Sequence, residues 1–210
     1  MYVKPRATHV KRQDGQRVRR TADEAEQTRE AILAAAHRLF ATQGFAATST
    51  AAVVEAAGVT RGALYHHFAD KTALFRAVFV RLEHDMNDTV TRVARTRATS
   101  MDAFVAGCGA LLDFMVRPDY HQIAVVDAPA VLGSAEWHGI DAGIGLASLQ
   151  FGLTALERDG YLRVPASPAV AVAVFGALTE AGIVLSRGAE GSPTRDELLD
   201  AVIGLICESG

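Results

Sequence analysis

The sequence has few cysteines and no long apolar segment. Its 210 residues include two cysteines, Cys108 and Cys207, at a separation of 99 positions. This is not the spacing of a zinc site, a redox CxxC pair or a disulfide framework, and it favours a reducing cytoplasm. No secretory apolar stretch follows the basic N-terminal residues. No uncharged run exceeds 16 residues, the length of 164–179, which is fewer than the roughly 20 that span a bilayer. We therefore predict a cytoplasmic protein without a membrane partner.

The sequence also lacks the short motifs of common enzymes. It has no GxSxG nucleophile elbow, no phosphate-binding loop and no HExxH or paired-cysteine metal site. The glycines of Gly143-Ile-Gly145 lie in a helical stretch, without the preceding strand that a dinucleotide-binding loop requires. His121 with Asp119 is too small a set for a metal site. We predict that the protein is not an enzyme and needs neither a metal nor a cofactor.

Charge is distributed unevenly along the chain. The net charge is −3, but the first 20 residues carry seven Lys or Arg against Asp14 alone, a net charge of +6. Residues 21–82 hold six basic and six acidic side chains, and residues 83–210 hold 8 basic and 17 acidic ones. Because the first 20 residues also lack periodicity and have few apolar side chains, we predict that they form a disordered basic arm.

Half of the residues are hydrophobic, and their spacing is helical throughout. No segment alternates with a period of two, so we predict no strands. Asp70, and Thr99 or Ser100, are suited to begin helices, as are Pro168 and Pro193-Thr194. The predicted helices are 21–44, 51–57, 61–66, 71–98, 100–117, 119–133 with a break at Pro129, 137–159, 168–185 and 193–207. The fold class is therefore all-α.

Two short helices are predicted to meet at Gly58-Val59-Thr60. A glycine in such a turn permits positive φ, and the following Val59 fills the corner. The lengths of the two helices and the glycine between them are typical of a helix-turn-helix, although an ordinary corner between two helices has the same spacing.

A longer pattern includes this corner and covers about residues 23–80. It comprises Gly44-Phe45, Ser49-Thr50, Ala56-Ala57-Gly58-Val59-Thr60-Arg61-Gly62-Ala63-Leu64-Tyr65-His66-His67-Phe68, Asp70-Lys71 and Leu74-Phe75. The pattern resembles the DNA-binding domain of TetR-family transcriptional regulators. One departure is Val54, where the family commonly has alanine at a close helix contact. Residues 100–210 resemble the family's effector-binding and dimerisation domain more loosely, through residues 127–133, Trp137 and 176–181.

The resemblance implies three parts of the chain. These are the basic arm at 1–20, a three-helix DNA-binding domain with a helix-turn-helix at 21–82, and a helical ligand-binding and dimerisation domain at 83–210. It implies a one-component regulator, usually a repressor, whose homodimer leaves a palindromic operator when a small, mainly apolar effector binds. The alternatives are a helical enzyme and a DNA-binding protein without an effector.

By the resemblance, the second corner helix enters the major groove of double-stranded operator DNA. The residues expected to face bases are Arg61, Gly62, Ala63 and His66, with Arg61 suited to guanine and Ala63 to a thymine methyl group. The residues expected to contact phosphates are Ser49, Thr50, Thr60, Tyr65, His67 and Lys71. Alternatively, Ser49 and Thr50 only cap a helix and Tyr65 only packs. The basic arm either follows the DNA or stays a solvated tail.

The resemblance also implies an effector pocket and a dimer surface. The residues expected to line the pocket are Phe104, Cys108, Leu111, Met115, Tyr120, His121, Trp137, Phe151, Phe175 and Glu180, and plain core packing is the alternative. Glu180 either meets the ligand or hydrogen-bonds across the dimer, because a buried carboxylate needs a partner. The last two helices are expected to pack on the partner's pair, or only within their own chain. The residues expected at this contact are Ala169, Val172, Ala173, Gly176, Ala177 and Glu180 on one helix, and Leu198, Val202, Leu205 and Ile206 on the other.

Overall fold

The structure, a computed structural model, describes residues 10–207, with side chains from Asp23 onward. Within these residues the chain is helical, and its one β-type contact is an isolated bridge between Leu162 and Cys207. The all-α prediction is therefore confirmed. The elements are α1 (Val10–Ala47), α2 (Thr50–Ala57), α3 (Arg61–His67), α4 (Lys71–Ala94), α5 (Ser100–Met115), α6 (Pro118–Tyr120), a π-helical segment (His121–Asp127), α7 (Ala128–Leu132), α8 (Ser134–Arg158), α9 (Pro168–Arg187) and α10 (Arg195–Ile206).

Side-chain caps fix where most of the long helices begin. The Asp70 carboxylate accepts the Ala73 N–H at 2.7 Å before α4, and the Thr99 hydroxyl accepts the Asp102 N–H at 3.0 Å before α5. Thr194 and Glu197 form a capping box before α10. These bonds satisfy amides that have no acceptor inside the first turn of a helix. The caps predicted for α4 and α5 are therefore confirmed.

The first helix starts earlier than the sequence predicts. We expect a disordered arm up to residue 20, but α1 begins at Val10, so residues 10–20 are helical and that part of the prediction is wrong. This stretch holds no proline and one glycine, Gly15, among Arg, Lys and Gln residues that propagate a helix at little cost. The remainder of the predicted arm, residues 1–9, lies outside the described residues, as do the side chains of residues 10–22.

The segment between α5 and α8 also differs from its prediction. A helix broken at Pro129 is expected, but Pro129 lies in the first turn of α7 and the irregularity is the π-helical segment that precedes it. Proline lacks an amide hydrogen, and its ring clashes with the carbonyl four residues earlier in a regular helix. A π-helical turn is a wider turn inside a helix, and here it precedes Pro129 without ending the helix.

The core consists of two clusters of buried side chains. The first joins α1, α3 and α4 with the π-helical segment, and has Phe40 and Phe75 at its centre, with ring centroids 5.2 Å apart. The second joins α5, α8, α9 and α10 around Leu112, Leu153 and Leu178. Helix α4 contributes Leu74 to Met86 to the first cluster and also packs along α5 and α8. The first cluster thus continues past the domain boundary predicted at residue 82, and that boundary stays a prediction.

Candidate nucleic-acid interface and ligand cavity

Helices α2 and α3 form a tight corner. Gly58 ends α2 with a positive φ of 66°, and the Val59 N–H donates to the Val54 carbonyl at 3.2 Å. Val53 and Leu64 are fully buried and attach the two helices to α1 and α4. Val54, the departure from the family pattern, is accommodated in a half-buried position against the same cluster. The corner has the geometry of a helix-turn-helix, with α3 as the exposed second helix.

Helix α3 carries six of the ten residues predicted to meet DNA. Arg61, Gly62, Tyr65 and His66 are exposed, and Ala63 and His67 are half-buried. Tyr65 and Thr50 face each other across the corner with hydroxyl oxygens 3.4 Å apart, and the Arg61 guanidinium lies 5.5 Å from the Tyr65 ring. The hydrogen bond with Thr50, and then that with Arg61, lower the pKa of Tyr65. Tyr65 is therefore held at the surface with its hydroxyl outward and is not a core residue.

Two of the predicted phosphate contacts are helix caps. The Ser49 hydroxyl accepts the Ala52 N–H at 3.1 Å, and the Thr60 hydroxyl accepts the Ala63 N–H at 3.1 Å. Both side chains are exposed. Each hydroxyl keeps its own hydrogen free to donate, so capping and a phosphate contact are compatible.

Lys71 has a structural role that the sequence does not reveal. Its ammonium group donates to the carbonyls of Phe45 at 2.8 Å and Thr48 at 3.0 Å, and lies 4.0 Å from the Phe45 ring centroid. These carbonyls follow the kink of α1 at Gly44, where φ is 75°. Two of the three ammonium hydrogens are thus used inside the protein, and one remains for a phosphate.

A cavity of about 570 Å³ lies between α4, α5, α8 and α9. Five of the ten predicted ligand contacts line it, namely Phe104, Cys108, Leu111, Phe151 and Phe175. Burial raises the pKa of the Cys108 thiol to about 12, so this thiol is neutral. Phe151 is 80% exposed and lies where the cavity meets solvent. The walls are mostly apolar, as in sites for small hydrophobic ligands.

The other five predicted ligand contacts do not line this cavity. Met115 and Tyr120 are buried in the first core cluster, Trp137 packs against that cluster beside His138, His121 belongs to the π-helical segment, and Glu180 is exposed on α9. For Met115 the reason is the length of α5, which at 16 residues extends about 24 Å. Its apolar stripe passes from the cavity at Phe104 into the first cluster at Met115.

Much of the cavity wall has no clear signal in the sequence. Helix α4 contributes Met86, Asn87, Val90, Thr91, Ala94 and Arg95, and α8 contributes Gly145, Ser148 and Gly152 among others. The Ser148 hydroxyl donates to the Asn87 side-chain carbonyl at 2.8 Å. A Cβ at Gly145 would lie 2.6 Å from the Phe175 ring, and one at Gly152 would lie 2.9 Å from the Phe104 ring. Gly145 and Gly152 therefore make room for these rings.

Polar contacts attach α1 to the elements beneath it. The Asp127 carboxylate accepts the backbone N–H of Phe45 at 2.8 Å, directly after the kink at Gly44, and the Gln122 amide at 3.2 Å. His37 lies 3.3 Å from the Asp119 carboxylate on α6. The helix that supports the corner is thus joined to the π-helical segment by hydrogen bonds as well as by packing.

Both halves of the chain match models of one protein family. Residues 32–78 match the model of bacterial regulatory proteins of the tetR family, and residues 101–208 match the tetracyclin repressor-like C-terminal domain. A TetR-family transcriptional regulator from Pectobacterium atrosepticum is 30% identical, with a TM-score of 0.70 over 87% of this chain and 92% of that one. The chain therefore belongs to the TetR family of DNA-binding transcriptional regulators, which are not enzymes.

Two further relatives differ in how much of the chain they share. The transcriptional regulator TtgR of Pseudomonas putida is 44% identical over 79 residues, which are 38% of this chain and 37% of TtgR. The chain thus aligns with little more than a third of this curated relative. The complex of SmeT with triclosan has a TM-score of 0.66 at 22% identity, over 87% of this chain and 93% of SmeT. At that identity the likeness is one of fold.

Replacing Lys71 by methionine should destabilise the protein even without DNA. The carbonyls of Phe45 and Thr48 would be deprived of their donors, which we expect to cost about 1–3 kcal/mol of unfolding free energy. Urea denaturation measures this change. Arg61→Ala, at an exposed position, is the control and should change the unfolding free energy by less than about 0.5 kcal/mol. Equal stability of Lys71→Met and the wild type would contradict the structural role.

Proposed function

We propose that the protein is a repressor that leaves its operator when a small, mainly apolar effector enters the cavity between α4, α5, α8 and α9. The observation that carries this proposal is that one helix, α4, both lines the cavity and belongs to the core beneath the corner. A ligand that fits the cavity better in one conformation shifts the chain toward that conformation. A hundredfold preference would supply about 2.7 kcal/mol.

On this proposal the exposed face of α3 reads the operator. Arg61 is the residue suited to the O6 and N7 atoms of guanine, Ala63 to a thymine methyl group, and Gly62 to close approach of the backbone. Donors for phosphate oxygens would surround this face, and His66 would lie beside the bases. These donors belong to Ser49, Thr50, Thr60, Tyr65, His67 and Lys71. Since residues 21–82 carry no net charge, these placed donors, rather than bulk charge, would anchor the domain.

A homodimer through α9 and α10 completes the proposal, because one short helix makes too few base contacts for a specific operator. Val172 on α9 and Leu205 on α10 are 59% and 68% exposed, and Ala169, Ala173, Gly176 and Glu180 share the exposed face of α9. Val202 and Ile206 are buried within their own chain, so they are unsuited to a subunit contact; Ala177 and Leu198 are half-buried. The dimer surface we propose is therefore narrower than the one predicted.

The effector we propose is apolar, because the cavity wall is. SmeT, which shares the fold, is known in complex with triclosan, a small ligand. The cavity disfavours the alternative of a DNA-binding protein without an effector, since that alternative predicts a filled core. Asn87, Thr91 and Ser148 would supply the few polar contacts that orient a ligand.

The proposal includes a cytoplasmic location, where the operator lies. Two helices, α8 and α9, are long and apolar enough to cross a membrane by length and composition alone. Such helices also occur in the cores of water-soluble proteins, and here both line the cavity and contribute to the second core cluster. TetR-family regulators are soluble DNA-binding proteins, and we expect the same of this chain.

Arg61→Ala should relax the sequence preference of the protein more than it weakens DNA binding in general. Removal of one bidentate contact to guanine is expected to cost about 1–3 kcal/mol of discrimination at one base pair of each half-site. Selection from a randomised DNA pool, followed by anisotropy titrations, measures the preference. Arg92→Ala, an exposed arginine in the last turn of α4, is the control. An unchanged preference in Arg61→Ala would contradict the assignment.

Filling the cavity should uncouple the protein from its effector. Ala103 lines the cavity on α5, and Ala103→Phe should leave DNA binding intact while raising the ligand concentration needed for release at least about tenfold, or 1.4 kcal/mol. Mobility shifts on the DNA upstream of its own gene, titrated with triclosan and related phenols, measure this. The control is Ala130→Phe, at an exposed position on α7. An identical ligand response in Ala103→Phe and the wild type would exclude this cavity.

The basic arm should steepen the salt dependence of DNA binding. Replacing Lys11, Arg12, Arg17, Arg19 and Arg20 by glutamine keeps the helical propensity of α1 and removes the charges. If these side chains bind phosphates, the slope of log affinity against log salt becomes shallower by about 0.9 for each phosphate that is no longer neutralised. Anisotropy titrations at several salt concentrations measure the slope. An unchanged slope and affinity would mean that the arm is a solvated tail.

A further inference from the structure

The core contains two carboxyl groups with too few hydrogen-bond donors. Glu83 on α4 is 0% exposed and Asp141 on α8 is 6% exposed. The Tyr120 hydroxyl donates to Glu83 Oε1 at 2.9 Å, but Glu83 Oε2 is buried and has no partner among the described residues. No side chain or amide in that part of the chain donates to Asp141 either. Buried carboxylates are normally paired with a cation or with several donors.

No cation compensates this pair among the described residues. Several charged groups on the helices that pack around Glu83 are paired with other side chains, in the pairs Arg76–Glu136, Arg81–Glu30, His37–Asp119 and Arg117–Asp119. His84 and Asp85 on α4 and His138 on α8 are exposed. His121 follows Tyr120 and is half-buried, with a buried Nδ1 that has no partner. The charged group that acts on Glu83 is Asp141, another acid.

We propose that Glu83 and Asp141 form a proton-binding site, which holds one proton between α4 and α8 in the folded protein near neutral pH. A protonated Glu83 has a hydrogen to donate. Because it is neutral, it also does not repel the carboxylate of Asp141 in this desolvated part of the protein. With this proton bound, α4 and α8 can pack closely. Without it, two negative charges would be buried where α4 packs on α8.

The titration of the pair agrees with this geometry. Burial, and then the charge of Asp141, raise the pKa of Glu83 to about 8, while the hydrogen bond from Tyr120 lowers it. Burial raises the pKa of Asp141 to about 6. Burial, and then the charge of Glu83, also raise the pKa of Tyr120, so this hydroxyl keeps its hydrogen. Both acids therefore bind protons more tightly in the folded chain than in the unfolded one.

The site lies between the cavity and the corner. Glu83 is one turn before Asn87 on α4, and Asp141 is one turn before Gly145 on α8; Asn87 and Gly145 both line the cavity. Release of the proton favours any conformation in which α4 and α8 separate and water reaches the two acids. Its effect on operator binding rests on the proposed function, whereas the proton-binding site does not.

The site is tested by the stability of the full chain as a function of pH. A group whose pKa is higher in the folded state loses its stabilising effect as pH rises. The folding equilibrium constant of the wild type should thus fall between about pH 5 and pH 8, by up to about tenfold per pH unit for each proton released on unfolding. Glu83→Gln keeps an acceptor for Tyr120 and should remove most of this fall. Asp85→Asn, at an exposed position on α4, should behave as the wild type.

A second measurement does not depend on a variant that folds. Infrared spectra of the folded wild type at pH 7 should contain the carbonyl stretch of a protonated carboxyl group, and this band should disappear as pH rises through about 8. Absence of the band at pH 7 would overturn the proposal. So would the same pH dependence of stability in Glu83→Gln and the wild type, which would assign the titration to another group. Neither measurement uses DNA, so failure of the proposed function would leave both results intact.

Discussion

The burial of one helix against both halves of the protein is the constraint on which the rest of the structure depends. Helix α4 carries Leu74 and Phe75 beneath the corner of α2 and α3, and one side of its later turns, from Met86 to Arg95, forms a wall of the cavity. Close-packed side chains do not deform continuously, so a displacement at one end of a helix is transmitted to the other. On the proposed function, a ligand in the cavity and DNA on α3 would therefore act on the same element.

A second connection runs from the π-helical segment to α1. The Asp127 carboxylate holds the Phe45 amide, and the Lys71 ammonium holds the Phe45 carbonyl, so one residue is fixed from both sides. Hydrogen bonds that involve a charged group contribute about 1.5–3 kcal/mol each. The kink at Gly44 thus has a defined direction, set partly by the π-helical segment. Movement of the π-helical segment would reach the corner through α1, in parallel with α4.

The sequence predicts what short-range chemistry determines. Caps at Asp70 and Thr99 and the turn at Gly58 depend on neighbouring residues, and the exposed face of α3 follows from its motif. The cavity depends on which helices pack together. The apolar periodicity of α5 therefore identifies Phe104 and Cys108 as wall residues, but it does not show that Met115, further along the same stripe, packs outside the cavity. Lys71 and Glu83 contact residues that are distant in the sequence, and Glu83 Oε2 has no partner among the described residues. A local pattern of residue types indicates neither the distant contacts nor the missing one. The early start of α1 escapes prediction because a high density of arginine is typical of disordered segments, although arginine is also a good helix former.

Hydrogen exchange along the chain, with and without triclosan as a probe, tests most directly the claim that the cavity and the DNA-binding surface are coupled. Slower exchange in the cavity segments of α4 and α8 would report binding of the probe. The account predicts that exchange then also changes at the Phe45 amide and in α2 and α3, which do not line the cavity. Protection confined to the cavity walls, with α1 to α3 unchanged, would contradict it.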